Sequence, residues 1–148
     1  MSSSDGRSGF HGAPYDFHTA SDLRRRAPRE LAELLVTRSE WLLAEDRALI
    51  RALYRENMTA AQVAELRGTS ARAVRRRAHT LVQRLLSPRY EFVARRRENW
   101  GPTRARVAVA CVLQGRTLRG AAEHLKLSLH TVRRHMDAVA AQQEALRA

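Results

Sequence analysis

Apolar side chains recur at three- and four-residue steps through most of the chain, which predicts a series of short amphipathic helices. The first residues lack this pattern and are rich in Ser and Gly. We therefore expect a disordered leader over residues 1–22. The expected fold class is all-α, with two tandem helix-turn-helix bundles of three or four helices each after that leader.

The first domain, residues 23–87, is predicted to begin with two helices. Leucines between residues 31 and 35 share one face of a short helix. A second helix is expected over residues 39–56, because Thr37 and Glu40 have the spacing of a capping box. The first helix is predicted to act as a lid over the later helices of this domain.

A short helix, a turn and a long helix are predicted next. Thr59 is placed to cap a helix over residues 60–66, and Gly68 supplies the tight turn after it. Ser70 is then expected to cap a long helix that ends at Ser87–Pro88. Apolar residues form one stripe of that long helix, and its arginines face elsewhere.

The second domain is predicted to repeat this order. Residues 88–101 are expected to form a basic helical linker, and residues 102–148 the second helix-turn-helix domain. Thr117 is placed to cap a short helix, and Ser128 to cap a final helix that runs to about Leu146.

An internal repeat supports two copies of one architecture. Shifting the chain by 58 residues superposes seven identical residues between positions 59–76 and 117–134. Small and branched residues in both copies are predicted to pack where the helices cross. These frame residues are Ala64 and Val74 in the first copy and Ala122 and Val132 in the second.

The charge of the chain points to a polyanionic partner. The 27 basic residues exceed the 15 acidic ones, giving a formal net charge of +12, and only Lys126 among them is not Arg. Residues 67–106 concentrate this excess. Nucleic acid is the leading candidate, because each Arg placed on a phosphate releases a counterion. A membrane surface is a poorer fit, since the arginines interrupt several short helices.

The candidate DNA-binding residues lie at the start and on the outward face of each long helix. A serine there satisfies backbone N–H groups, and the helix start can face a phosphate. Arg can make bidentate contacts with guanine or phosphate, and which arginines read bases stays open. The predicted residues are Ser70, Arg72, Arg75, Arg76 and His79 in the first unit, and Ser128, His130, Thr131, Arg133 and Arg134 in the second.

Two stretches resemble known families. Trp41–Leu86, WLLAEDRALIRALYRENMTAAQVAELRGTSARAVRRRAHTLVQRLL, resembles region 4 of the sigma-70 family of RNA polymerase sigma factors. Thr117–Val139, TLRGAAEHLKLSLHTVRRHMDAV, is similar both to that region and to the LuxR-type helix-turn-helix. The resemblance implies a transcription regulator that reads duplex DNA with two recognition helices in the major groove. Arg77 lies three residues after Val74, where sigma domains usually bury an apolar residue, so either the first recognition helix is rotated or Arg77 snorkels outward. Nothing resembles sigma region 2, so a free-standing region-4-like DNA-binding protein is expected.

Other chemistry is not indicated by the sequence. The histidines have no Ser, Cys or carboxylate at a catalytic spacing, and no Gly-rich phosphate loop is present, so we expect no enzyme activity. Cys111 is the single cysteine and is expected in the core. We expect no metal and no cofactor. With neither a signal-peptide pattern nor an apolar run long enough to span a bilayer, a cytoplasmic, nucleoid-associated protein is expected.

Two other functions remain open from the sequence. The chain could be an adaptor that binds RNA polymerase or a sigma factor, or a DNA-end-binding module of a mobile element. Affinity for duplex DNA with a steep salt dependence would favour DNA binding over the adaptor. If both units dock, one chain can cover a two-part site about one helical turn of DNA, ~34 Å, apart. A monomer would then suffice, although a dimer is possible.

Overall fold

The computed structural model describes residues 29–147, and within that range the fold is all-α, as predicted, with no β-strand. The helices are α1 (Arg29–Arg38), α2 (Ala44–Tyr54), α3 (Ala60–Arg67), α4 (Ala71–Leu85), α5 (Pro88–Arg96), α6 (Pro102–Ala108), α7 (Leu118–Leu125) and α8 (Leu129–Arg147). Two 3-10 turns, Ser39–Trp41 and Arg97–Asn99, and a π-helical turn, Val109–Leu113, complete the set. The predicted leader, residues 1–22, lies outside the described residues.

The start of α2 differs from the prediction. The Thr37–Glu40 capping box is wrong, because Thr37 lies inside α1 and α2 begins only at Ala44. Ser39 is fully buried, and its hydroxyl donates to the Val36 carbonyl at 2.6 Å. The chain therefore leaves α1 through a 3-10 turn, where the serine satisfies a backbone carbonyl of the last helical turn.

The described chain divides into two compact units. The first comprises residues 29–40 and 44–84, and the second comprises Trp41–Leu43 and residues 85–147. In the first unit α1 packs on α2, and α2 packs on α3. Its core is built from the apolar stripe of each helix. The core residues are Leu35, Leu49, Ile50, Leu53, Tyr54, Val63, Ala64, Val74, Ala78, Leu81 and Val82.

The second unit is centred on α8. Helices α5, α6 and α7 each pack against it, and α5 also packs on the π-helical turn. Of the residues predicted to be a basic helical linker, 88–101, residues 88–99 are helical. They lie within this unit, where Tyr90 and Val93 are fully buried. A central cluster joins the helices. Its buried members are Val107, Ala110, Ala121, Ala122 and Val132.

The 58-residue repeat is visible in the backbone of the two units. Within residues 29–147, only four residues have positive φ: Asn57, Gly68, Gly115 and Lys126. They form two pairs separated by 58 residues, with φ of 62° and 79° before the short helix and 69° and 60° after it. The same left-handed turns therefore start and end α3 and α7, although glycine supplies only one turn of each pair.

Candidate nucleic-acid interface

The predicted side-chain caps are present at the start of the short helices and of the long helix α4. The side chain of Thr59 caps α3, and that of Thr117 caps α7, both as predicted. The Ser70 hydroxyl accepts from the Ala73 N–H at 3.0 Å, which confirms the predicted cap of α4. One N–H of the first turn is thus satisfied within the chain, and the other early N–H groups face outward from the helix end. The positive end of the α4 dipole is exposed at Ser70.

An arginine row lies on the outward face of α4. Val74 and Ala78 are buried on the opposite face, at 4% and 0% exposure. The row consists of Arg72, Arg75 and Arg76, of which only Arg75 is half-buried and the others are exposed. Within residues 29–147, none of the three guanidinium groups forms a hydrogen bond or ion pair. Three positive charges therefore stand next to the capped helix start without an internal counter-ion.

Neighbouring arginines are instead held by the protein. Arg77 donates from Nε to Asp46 Oδ1 at 3.1 Å and from Nη2 to Asp46 Oδ2 at 2.7 Å. Arg67 donates from Nη2 to the Glu45 carbonyl at 2.9 Å. The open question about Arg77 is therefore answered: the side chain points outward along α2 while Val74 keeps its buried place. These three bonds tie residues of α3 and α4 to the start of α2.

His79 differs from the other predicted residues of α4. Its side chain is half-buried and already interacts with a group inside the chain. The predicted residues of α4 that form no bond within residues 29–147 are therefore those of the arginine row, not His79.

The start of α8 repeats the cap and adds a second hydroxyl. The Ser128 hydroxyl accepts from the Thr131 N–H at 3.0 Å and donates to Thr131 Oγ1 at 2.9 Å. This confirms the predicted cap of α8. His130, Arg133 and Arg134 are exposed, and no hydrogen bond or ion pair holds them within the described part of the chain. The half-buried Thr131 supports the cap.

One pair of basic residues was not predicted from the sequence. Arg104 of α6 donates from Nε to Nδ1 of His135 at 3.4 Å. Burial, together with the positive charges of Arg104 and Arg134, lowers the pKa of His135 below its usual value of 6.5. The signal that could have found this pair is the repeat itself, since a 58-residue shift carries Asp46 and Arg77 onto Arg104 and His135.

The remaining candidate chemistry is limited. Cys111 is half-buried against the central cluster of the second unit, and burial raises the pKa of its thiol. Within residues 29–147, no group of three or more His, Cys, Asp or Glu side chains is placed to hold a metal ion. No helix in that same range is long and apolar enough to cross a bilayer.

Comparison of the chain with protein-family models, with curated proteins and with solved structures finds no match. The structure is that of an all-α protein in which an element of short helix, turn and long helix occurs twice, each time with exposed arginines on the long helix.

Proposed function

We propose that this protein is a DNA-binding transcription regulator that places α4 and α8 in the major groove of duplex DNA. The observation that carries the proposal is the division of its arginines. Arg67 and Arg77 are bonded to the protein, whereas the exposed arginines on the outward faces of α4 and α8 are not. An unpaired arginine row beside a helix N-terminus suits phosphate and guanine edges.

The repeat gives this observation its weight. Arg75 and Arg76 recur as Arg133 and Arg134, each pair following a buried valine by one and two residues. Arginine at the same two outward positions of both units is what a shared use of the two long helices would require. The resemblance to sigma region 4 and to the LuxR-type helix-turn-helix supports the same use of both helices.

The test is the salt dependence of duplex binding, measured by fluorescence anisotropy of the full chain on random DNA and on an enriched pool. The variant is Arg75→Ala/Arg76→Ala/Arg133→Ala/Arg134→Ala. The matched control removes four exposed arginines that lie elsewhere, Arg29, Arg55, Arg106 and Arg147, and so has the same net charge.

We expect a slope of log K against log salt several units steep for the wild type, reduced by about three to four units if the four arginines each neutralise a phosphate. The control should keep most of the slope and the preference for the enriched pool. If the wild type binds DNA weakly and without sequence preference, and both variants bind as the wild type does, the proposal is rejected and the polymerase- or sigma-binding adaptor is favoured. Preference for DNA ends over internal sites would favour the mobile-element module.

A further inference from the structure

Equivalent side-chain pairs of the two units differ in charge. In the first unit Asp46 of α2 forms two hydrogen bonds with Arg77 of α4, at 3.1 and 2.7 Å. In the second unit the equivalent residues are Arg104 of α6 and His135 of α8, joined by a single bond of 3.4 Å. The contact between the helices is thus retained in the repeat, but its carboxylate is replaced by a guanidinium.

No carboxylate compensates for this replacement in the second unit. Within residues 29–147, neither Arg104 nor Arg134 nor His135 forms an ion pair with Asp or Glu. Two acidic residues near α5 are engaged elsewhere, Glu91 with Arg95 and Glu98 with Arg97. Two basic side chains therefore meet without an internal anion, and the exposed Arg134, the residue before His135 on α8, adds to the local positive potential.

We propose that Arg104, Arg134 and His135 form a phosphate-binding site. The inference rests on the proposed function in one respect: in the complex with DNA, the phosphate would be one from the backbone contacted by α8. A guanidinium offers two parallel N–H donors to phosphate oxygens. His135 Nδ1 now accepts a hydrogen bond, and it becomes a further donor once it is protonated. Phosphate and a proton should therefore bind together.

The first unit has no such site. Asp46 is only 14% exposed, and its carboxylate both holds Arg77 and repels a phosphate at that position. The added phosphate contact is thus specific to the second unit, and it comes from α6, outside the short-helix, turn, long-helix element.

Inorganic phosphate provides a test that does not depend on DNA. The His135 imidazole is titrated by proton NMR in phosphate and in chloride at equal ionic strength, with its signal assigned from His135→Gln. Arg104→Ala is compared with Arg106→Ala, which removes an exposed arginine two residues along α6 and hence on its other side. We expect phosphate to raise the pKa of His135 in the wild type and in Arg106→Ala, and to have little effect in Arg104→Ala. No phosphate effect in the wild type would overturn the site.

Duplex binding then separates the two proposals. We expect Arg104→Ala to weaken binding about ten-fold and to lower the salt slope by about one unit, and Arg106→Ala to do neither. If the wild type binds DNA, and Arg104→Ala binds with the same affinity and salt slope as Arg106→Ala, the DNA part of the inference is overturned and the proposed function stands. A wild type that fails to bind DNA, while phosphate still raises the pKa of His135, would reject the proposed function and keep the phosphate site. Failure of both measurements would reject both.

Discussion

Removing the ion pair between α2 and α4 should destabilise the first unit, whereas removing the equivalent pair in the second unit should not. The first pair consists of Asp46, 14% exposed, and Arg77, 46% exposed, joined by two charge-assisted bonds. Exposed ion pairs contribute about 0.2–1 kcal/mol, and hydrogen bonds to charged groups about 1.5–3 kcal/mol. A bidentate pair with one mostly buried partner lies between these ranges, so we expect a coupling energy of about 1 kcal/mol.

The two single substitutions should differ in cost. Arg77→Ala leaves the mostly buried Asp46 carboxylate without its partner, and should cost about 2 kcal/mol. Asp46→Ala leaves an arginine that water can solvate, although it also removes a negative charge from the first turn of α2. That loss is about 0.5 kcal/mol, and Ala is the better helix former, which offsets part of it. We expect Asp46→Ala to cost about 1 kcal/mol in total.

Urea unfolding of the two single variants and the double variant, followed by circular dichroism, gives the coupling energy as a double-mutant cycle. In 1 M salt the coupling should fall, because the exposed guanidinium is screened. The same cycle on Arg104 and His135 should give a coupling near zero at neutral pH, where the imidazole is mostly neutral and the single bond is 3.4 Å long. The coupling should become unfavourable at a pH where His135 is protonated, because both residues are then cationic. A coupling below about 0.3 kcal/mol for Asp46 and Arg77 would refute the reasoning, because exposed pairs already reach that value.

Other consequences of the structure can be measured in the same way. Ser70→Ala and Ser128→Ala should each lower the free energy of unfolding by about 1 kcal/mol through loss of a helix cap. Ser→Asp at either position should keep the wild-type stability, because Asp also caps helices. Lys126→Gly should stabilise the chain by about 0.5–1 kcal/mol, because Lys126 has a φ of 60° that glycine adopts without strain. Gly68→Ala should destabilise the chain by about 1 kcal/mol because Gly68 has a φ of 69°, although a Cβ there would meet open space. Because the pKa of His135 is lowered in the folded chain, the unfolded chain binds more protons between that lowered value and 6.5. Stability should therefore fall as the pH drops below about 6.5 and flatten below the folded pKa; His135→Gln should reduce this dependence, and an unchanged pH profile would contradict it.

Local signals in the sequence predicted the helix starts well. Thr59, Ser70, Thr117 and Ser128 all cap the helices expected of them, because a capping side chain bonds to backbone only two or three residues away. The left-handed turn at Lys126 was harder to predict, since lysine rarely adopts positive φ and only its equivalence to Gly68 in the repeat indicates it.

Features set by distant residues were not predicted. Thr37 and Glu40 have the spacing of a capping box, but α1 continues to Arg38, and Ser39 is fully buried in the turn that follows it. The bonds between Asp46 and Arg77 and between Arg104 and His135 each join residues 31 positions apart. Periodicity within one helix carries no information on such pairs, and only the alignment of the two repeats brings them together.

The two units share their buried residues at the helix crossings but differ in the exposed residues of α4 and α8. On the proposed function, this difference determines which DNA sequence each helix reads. Arg133 and Arg134 repeat Arg75 and Arg76, whereas position 130 is His instead of Arg and position 137 is Asp instead of His. An exposed aspartate on α8 repels phosphate and can accept from the amino group of cytosine, which no residue of the arginine row can do. Selection from a random duplex pool should therefore yield two unlike half-sites, with Asp137→Asn changing the preference only in the half-site read by α8. Enrichment of a palindrome or of two identical half-sites would show that one helix alone reads the DNA, or that two chains do.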